Sequence, residues 1–257
     1  MTSRILTRRQ MLLHGSSAFG GLLLAGCDRL SNAPSFGRRV LDSAEGLTYR
    51  TQRLVLGHRA LAREFSESDL SPVFRSNGTS DPDTAAYRKL RENQFADWRL
   101  AVGGLVARPL QLSLVNLRAM RSRTQITRHD CVEGWSAIGQ WTGVPLGSVL
   151  NMAQVLSHAR YVVFYCADSL DSDSDPYYES VDLIDALHPQ TILAYDLNGK
   201  PLPVPNGAPL RLRVERQLGY KHAKYLMRID AVQRLEHIRG GKGGYWEDRG
   251  YEWYAGI

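Results

Sequence analysis

One cysteine stands where it could hold a metal or attack a substrate: Cys131, in the run His129-Asp130-Cys131-Val132-Glu133-Gly134-Trp135-Ser136. A thiolate is a soft ligand and suits a metal that already carries sulfur. A single protein thiolate is enough where a dithiolene cofactor brings the other sulfurs. The same run could instead serve a cysteine hydrolase, with Cys131 as nucleophile and His129 two residues away, although no third group is evident to orient the histidine. A lone cysteine is otherwise a small buried hydrophobe.

A second cluster is built for anions. Asn198-Gly199-Lys200-Pro201-Leu202-Pro203-Val204-Pro205-Asn206-Gly207-Ala208-Pro209-Leu210-Arg211 precedes Gly219-Tyr220-Lys221-His222-Ala223-Lys224-Tyr225. Prolines stiffen the segment and glycines let backbone approach closely. Arg211, His222 and Lys224 can meet an anion through charge-assisted bonds, and turn amides can form an anion nest. The plainer alternative is a proline-rich hairpin with surface cations.

The elements that must position these residues are short and mixed. Trp98–Ala107 predicts strand, turn or bulge, strand around Gly103-Gly104, and Ser113 caps a short helix through Met120. Arg123–His129 reads as a strand leading to Cys131. Pro145–Val155 has helical apolar spacing, and Tyr161–Cys166 is a β-prone run. Ser180–Leu187 reads as a helix. Thr191–Leu197 reads as a strand ending in an Asn198-Gly199 turn, Leu210–Val214 and Tyr225–Leu235 as further strand-containing segments, and Gly240–Gly244 as a loop. Without βαβ regularity the fold class is α+β, with mixed β-sheets and short helices.

Of the 257 residues, 43 % are hydrophobic and 23 % charged, which excludes wholesale disorder, and three cysteines exclude a disulfide scaffold. The net charge of +6 is half leader: the residues before Cys27 hold Arg4, Arg8 and Arg9 and no acid. The remaining small excess does not support a nucleic-acid partner. Thr7-Arg8-Arg9-Gln10-Met11-Leu12-Leu13 resembles the twin-arginine export motif, which serves proteins exported already folded. Leu24-Ala25-Gly26-Cys27 resembles a bacterial lipobox, implying cleavage before Cys27 and acylation of Cys27. Asp28 leans toward retention at the inner membrane. The expected organisation is a signal peptide at 1–26, a lipid-anchored tether and lead-in at 27–64, and one domain at 65–257.

Phe74-Arg75-Ser76-Asn77-Gly78-Thr79, the Asp130–Ser136 run, Leu193-Ala194-Tyr195, Asn206–Arg211, Gly219-Tyr220-Lys221 and the aromatic tail Gly244–Tyr251 occur in one order. Together they resemble the sulfite-oxidase-like molybdopterin oxidoreductases, most closely the exported bacterial branch that contains methionine-sulfoxide reductases. The resemblance implies a sulfite-oxidase-type fold and a molybdenum–molybdopterin cofactor, with Cys131 as metal ligand and catalytic residue. It implies that Asn77, Asn206 and Arg211 hold the pterin and its phosphate, and that His222, Ala223 and Lys224 contact the cofactor. Cys166 falls where the methionine-sulfoxide-reductase branch has a pterin-contacting Thr. It lines the pocket or ends a buried strand, and a Cys131–Cys166 disulfide is disfavoured because it would remove the ligand.

The substrate class is a small or protein-bound oxo-compound, S-oxide or sulfite. Arg128 and His129 would favour sulfite, and an aromatic mouth with Trp135 would favour S-oxides. With no haem Cys-x-x-Cys-His or flavin signature, electrons come from a membrane haem or quinone-linked protein or from a soluble cytochrome. A lipid-anchored binding module of the same fold, without redox chemistry, is the remaining alternative. Replacing Cys131 by Ala or Ser is expected to abolish oxygen-atom transfer and to weaken or alter molybdenum binding in natively exported protein. Full activity in either variant would remove the ligand role.

Overall fold

The computed structural model describes residues 34–57, 60–170 and 175–257. The twin-arginine motif, the lipobox with Cys27 and the start of the tether lie outside them. Residues up to Gln52 and residues from Arg53 to Ile257 form separate compact units. The described part of the first unit is helical: α1 spans Pro34–Leu56, where the sequence reads as a tether to about residue 45. Pro34, Ser35 and Gly37 carry the loop signal. Proline is tolerated in a first helical turn, and the Leu, Val, Arg and Glu that follow are good enough helix formers to carry the helix past Gly37 and Gly46. Among the described residues no helix is long and apolar enough to cross a membrane.

The second unit is built on two sheets. Sheet one has the order β2-β1-β10-β5-β6, from β1 (Leu100–Gly104), β2 (Leu110–Leu112), β5 (Tyr161–Cys166), β6 (Tyr178–Asp182) and β10 (Leu226–Val232). Only β1 and β10 pair in parallel. Sheet two runs β3-β4-β7-β8, from β3 (Arg123–Cys131), β4 (Trp135–Pro145), β7 (Ile192–Leu197) and β8 (Lys200–Pro201), with β9 (Arg211–Arg213) also paired to β7. Short helices α2 (Ala85–Glu92), α3 (Leu114–Ala119), α4 (Leu146–Ala153) and α5 (Leu183–Ala186) join them. Mixed sheets with few short helices agree with the α+β expectation.

Local chemistry explains most of these elements. Ser113 caps α3 through a reciprocal pair with Asn116. Leu146, Val149, Leu150 and Ala153 put the buried face of α4 into the main core with Trp98, Val163, Phe164 and Ile229. The helix expected at Ser180–Leu187 is a correction. Tyr178–Asp182 is strand β6 paired to β5, and only then does Asp182 cap α5 through Asp185 N. Val181 and Tyr178 favour the strand, and the helical reading holds only for Leu183–Ala186, after the Asp182 cap. The second strand expected before Ala107 is also absent. Gly104, at φ +72°, ends β1, and β2 begins only at Leu110.

Strand β4, the longest, goes unread in the sequence because its buried positions include Ala137, Gly139 and Gly143. These are small for a reason. A Cβ on Gly143 would collide with the Leu193 carbonyl oxygen on β7, and one on Gly139 would press on Phe74. Gly143→Ala is therefore expected to lower the melting temperature. Gly147→Ala, in α4 with only ordinary van der Waals neighbours, is expected to raise stability by up to about 1 kcal/mol. Thermal unfolding of the two variants checks both signs.

Candidate active site

Cys131 is the last residue of β3 and pairs with Trp135 across the turn Val132-Glu133-Gly134. Gly134 closes that turn at φ +85° and returns its N–H to the Cys131 carbonyl at 3.0 Å. Alternation along β3 buries Gln125, Thr127, His129 and Cys131 on one face. Arg128 falls on the other face, exposed, and donates to Asp130 at 2.9 Å. It is therefore not beside Cys131, contrary to its nearness in sequence.

Cys131 opens into a cleft of about 180 Å³. Its walls include Asn77, Thr79, Glu133, Asp168, His222 and Lys224, with Tyr177, Tyr220, Trp246 and Tyr251 as aromatic wall. Of the residues singled out from sequence, Asn77, Cys131, His222 and Lys224 meet here. Asn206, Arg211, Ala223 and Cys166 do not line the cleft. Asp168, Tyr177 and Tyr220 were missed as individual wall residues, since nothing in Cys166-Ala167-Asp168 or Tyr177-Tyr178 marks them locally. Trp135 is not in the wall; its indole donates to Glu133 Oε2 at 2.9 Å.

The wall carrying Asn77 is hung from the second cluster. Lys224 Nζ donates to the carbonyls of Asn77 at 2.6 Å, Pro205 at 3.1 Å and Thr79. Tyr225 Oη donates to the Thr79 carbonyl at 2.9 Å, and Ser76 Oγ to that of Pro205. All three ammonium protons of Lys224 are thus committed. Burial, helped by Arg211, lowers its pKa to about 7.

Behind the wall, Arg211 donates to the carbonyls of Asn206 at 3.0 Å and His222 at 3.2 Å. It is fully buried, has no carboxylate partner among the described residues, and leaves Nε without an acceptor. Burial, with Arg213 beside it, lowers its pKa to about 9. Arg213 is neutralised by a two-point bond to Glu215 at 2.9 and 2.6 Å. It also bonds His129 Nδ1 at 2.9 Å.

These contacts set both imidazoles. Arginine only donates, so His129 Nδ1 accepts and its proton sits on Nε2, which has no partner. His222 Nε2 faces the Gln217 carbonyl at 3.0 Å and must donate, which leaves Nδ1 a bare acceptor at the cleft. Burial and the charge of Arg213 hold both rings well below the usual histidine range, so both are neutral. His129 therefore has no free basic nitrogen to activate Cys131, and burial pushes the Cys131 thiol up. A hydrolase needs the opposite. Cys131 and Cys166 are both free, so the disfavoured disulfide is indeed absent.

Among the described residues, no three His, Cys, Asp or Glu come together as a metal-holding group. Cys131 alone cannot hold a metal, but it can complete the sphere of one that arrives with its own sulfur. The unpartnered polar atoms Asn77 Oδ1, Asp168 Oδ1 and His222 Nδ1 on the cleft wall call for a polar occupant. The buried positive charge of Arg211 and Lys224 suits a group carrying a phosphate. Soft ligand, orphaned polar atoms and uncompensated positive charge together fit a molybdopterin.

Sequence and fold comparisons agree on that class. The chain matches the oxidoreductase molybdopterin-binding domain over residues 87–237 and belongs to that family of molybdopterin-dependent oxidoreductases. It is 37 % identical over 98 % of its length to a putative protein-methionine-sulfoxide reductase subunit, YedZ1, of Azospira oryzae, covering 88 % of that protein. It is 41 % identical over 61 % of its length to the protein-methionine-sulfoxide reductase catalytic subunit MsrP of Xanthomonas axonopodis, of which it spans half. Its fold is similar to the sulfane dehydrogenase SoxCD of Paracoccus pantotrophus, with a TM-score of 0.50, 23 % identity and coverage of 56 % of this chain and 40 % of that one. The sulfite-oxidase-type fold and the molybdopterin cofactor expected from sequence are therefore borne out.

A histidine held neutral in the fold but protonated when unfolded costs stability below its ordinary pKa of 6.5. The unfolded chain then binds more protons, so stability falls as pH falls, by about 1.4 kcal/mol per pH unit for each such group. His222→Gln keeps a donor and an acceptor but does not titrate. Melting temperatures of the cofactor-free protein between pH 7 and 5.5 are expected to fall less steeply in that variant than in the parent. Equal slopes would show that His222 is protonated in the fold.

Proposed function

We propose that the chain is an exported molybdenum-cofactor oxidoreductase that reduces S-oxides, with Cys131 as the protein's ligand to molybdenum. The bound cofactor supplies a redox centre able to exchange an oxygen atom. In the net change a sulfoxide takes up two protons and two electrons. Its sulfur–oxygen bond breaks, the sulfur is reduced to the sulfide, and the oxygen leaves as water. The electrons come from a haem, quinone-linked or cytochrome partner. The names of the relatives, methionine-sulfoxide reductases, favour the same class.

The observation that carries the choice of substrate is the charge around Cys131. Sulfite is an anion and needs cations beside the metal. Arg128 is turned away and paired, His129 is neutral, and the protons of Lys224 are spent on carbonyls. Arg75 is exposed and stacks 5.6 Å from the Trp135 ring centroid without lining the cleft. What faces the cleft beside Cys131 is Glu133, with Tyr220, Trp246 and Tyr251 in the wall. A carboxylate repels sulfite, whereas aromatic walls accept a neutral sulfoxide and its alkyl groups.

The same wall supports narrower roles. Lys224 would hold the Asn77–Thr79 part of the cleft wall in place for the cofactor, and Arg211 would fix the backbone of Asn206 and His222 while its charge favours a bound phosphate. Ala223 and Cys166 lie in the buried core outside the cleft; the Ala223 carbonyl accepts from Leu212 beside Arg211, and the Cys166 N–H donates to the Tyr177 carbonyl. The leader motifs support export to the periplasm and lipid anchoring at Cys27 to the inner membrane.

Molybdenum-loaded protein assayed on methionine sulfoxide, a dialkyl sulfoxide, an N-oxide and sulfite tests the reading. S-oxide reduction is expected to exceed sulfite oxidation in kcat/KM, and Glu133→Gln to narrow that gap roughly tenfold, the equivalent of about 1.4 kcal/mol. Sulfite turning over faster than any S-oxide would overturn it. Protein without molybdenum from a replete host would return the chain to the hydrolase or binding-module readings, told apart by hydrolytic turnover.

A further inference from the structure

The walls of the cleft divide by exposure. Asp168, Tyr177, His222 and Lys224 are buried and form its floor with Cys131. Val132, Glu133 and Tyr251 are exposed and Trp246 is half-buried, so these form its mouth. The orphaned acceptors that call for the cofactor belong to Asn77, Asp168 and His222, not to the mouth. A substrate on its way to Cys131 therefore passes a carboxylate and a pair of stacked rings.

The rings form one platform. Trp246 and Tyr251 stack with centroids 5.1 Å apart and planes at 28°, and Tyr220 meets Tyr251 edge-on at 5.3 Å. Elsewhere cations already cover aromatic faces: Arg239 lies over Tyr178 and Arg75 over Trp135. Arg249, three residues past Trp246, turns instead to Tyr245, 3.5 Å from its centroid, and donates to the Tyr245 carbonyl at 2.9 Å. Among the described residues no cation lies over Trp246 or Tyr251. Glu133 is open in the same way. Its Oε2 accepts from the Trp135 indole, and no lysine or arginine forms an ion pair with it among the described residues. Lys224, the cation of the floor, spends its protons on carbonyls. A ring face and a carboxylate both attract a positive charge.

We infer that the cleft mouth selects sulfoxides carrying a positive charge close to the sulfinyl group, such as an ammonium a few bonds away. Glu133 attracts the charge, and the Trp246–Tyr251 pair receives it on the ring faces. An apolar mouth alone would favour a neutral sulfoxide, because an ammonium is costlier to take out of water. The inference rests on the S-oxide reading above and adds a charge preference to it.

Three methyl sulfoxides of similar size separate the cases: the cationic aminoethyl, the neutral hydroxyethyl and the anionic carboxymethyl compound. Their affinities for oxidised, molybdenum-loaded enzyme are measured by calorimetry without an electron donor, and their kcat and KM with one. The cationic compound is expected to bind roughly tenfold tighter than the neutral one at low salt, and the anionic one weakest. The preference should appear in KM rather than kcat and should shrink as salt is raised. Glu133→Gln should cut it to about two- to threefold and spare affinity for the neutral compound. Tyr251→Leu, at an exposed position, should weaken the cationic compound more than the anionic one. If Glu133→Gln lost molybdenum, Tyr251→Leu would decide alone. Equal affinity for the three charges, or an undiminished preference in both variants, would overturn the inference and leave S-oxide reduction standing. Turnover of none of the three would overturn the S-oxide reading and this inference with it.

Discussion

Two guanidinium groups against one indole organise the centre of this molecule. Arg211 and Arg213 stand two apart on β9, hence on one face, and lie 5.0 and 4.4 Å from the ring centroid of Trp141 on β4. Both are fully buried, and two like charges so close are tolerable only with strong compensation. Glu215 neutralises Arg213, and Gln125 in turn donates to Glu215. Arg211 has only carbonyls and the face of the indole. Its unbalanced charge adds to the burial that keeps both histidines neutral and weakens the proton affinity of Lys224. The site follows from it: neutral imidazoles, a committed lysine and a positive background that an anionic cofactor completes.

A second buried cluster holds the mouth of the cleft. Lys221 Nζ bonds Glu179 and Glu247, all three fully buried. Each member lies beside wall residues in the chain. Glu179 follows Tyr177 by two positions, Lys221 sits between Tyr220 and His222, and Glu247 follows Trp246. One ammonium thus ties together strand β6, the turn before His222 and the aromatic C-terminal segment. Burial and the neighbouring Glu247 push the Glu179 carboxyl well above the ordinary range, against the opposing charge of Lys221.

How much of this was legible follows from where burial and polarity agree. Strands β5 and β7 and helix α4 bury apolar residues, so their periodicity announces them. Strand β3 buries Gln125, Thr127 and His129 while Ile126 is less buried, so apolar spacing alone points to the wrong face. Strand β4 buries Trp141 and Val144 together with Ala137, Gly139 and Gly143, and these small residues break up its apolar alternation. For the site, Cys131 and the Asn206–Lys224 region were visible as a combination of motifs. Proximity in sequence misled at Arg128, because alternation sends neighbours to opposite faces. Asp168 and Tyr177 escaped notice because only tertiary contact makes them wall residues.

The central claim is that this cleft holds molybdopterin with Cys131 completing the metal's sulfur ligation. X-ray absorption at the molybdenum edge, on natively loaded wild type and on Cys131→Ser carrying whatever metal it retains, addresses it directly. The account predicts that the variant loses one sulfur from the metal's coordination sphere while the dithiolene sulfurs remain. An unchanged sulfur count in metal-loaded Cys131→Ser would contradict it.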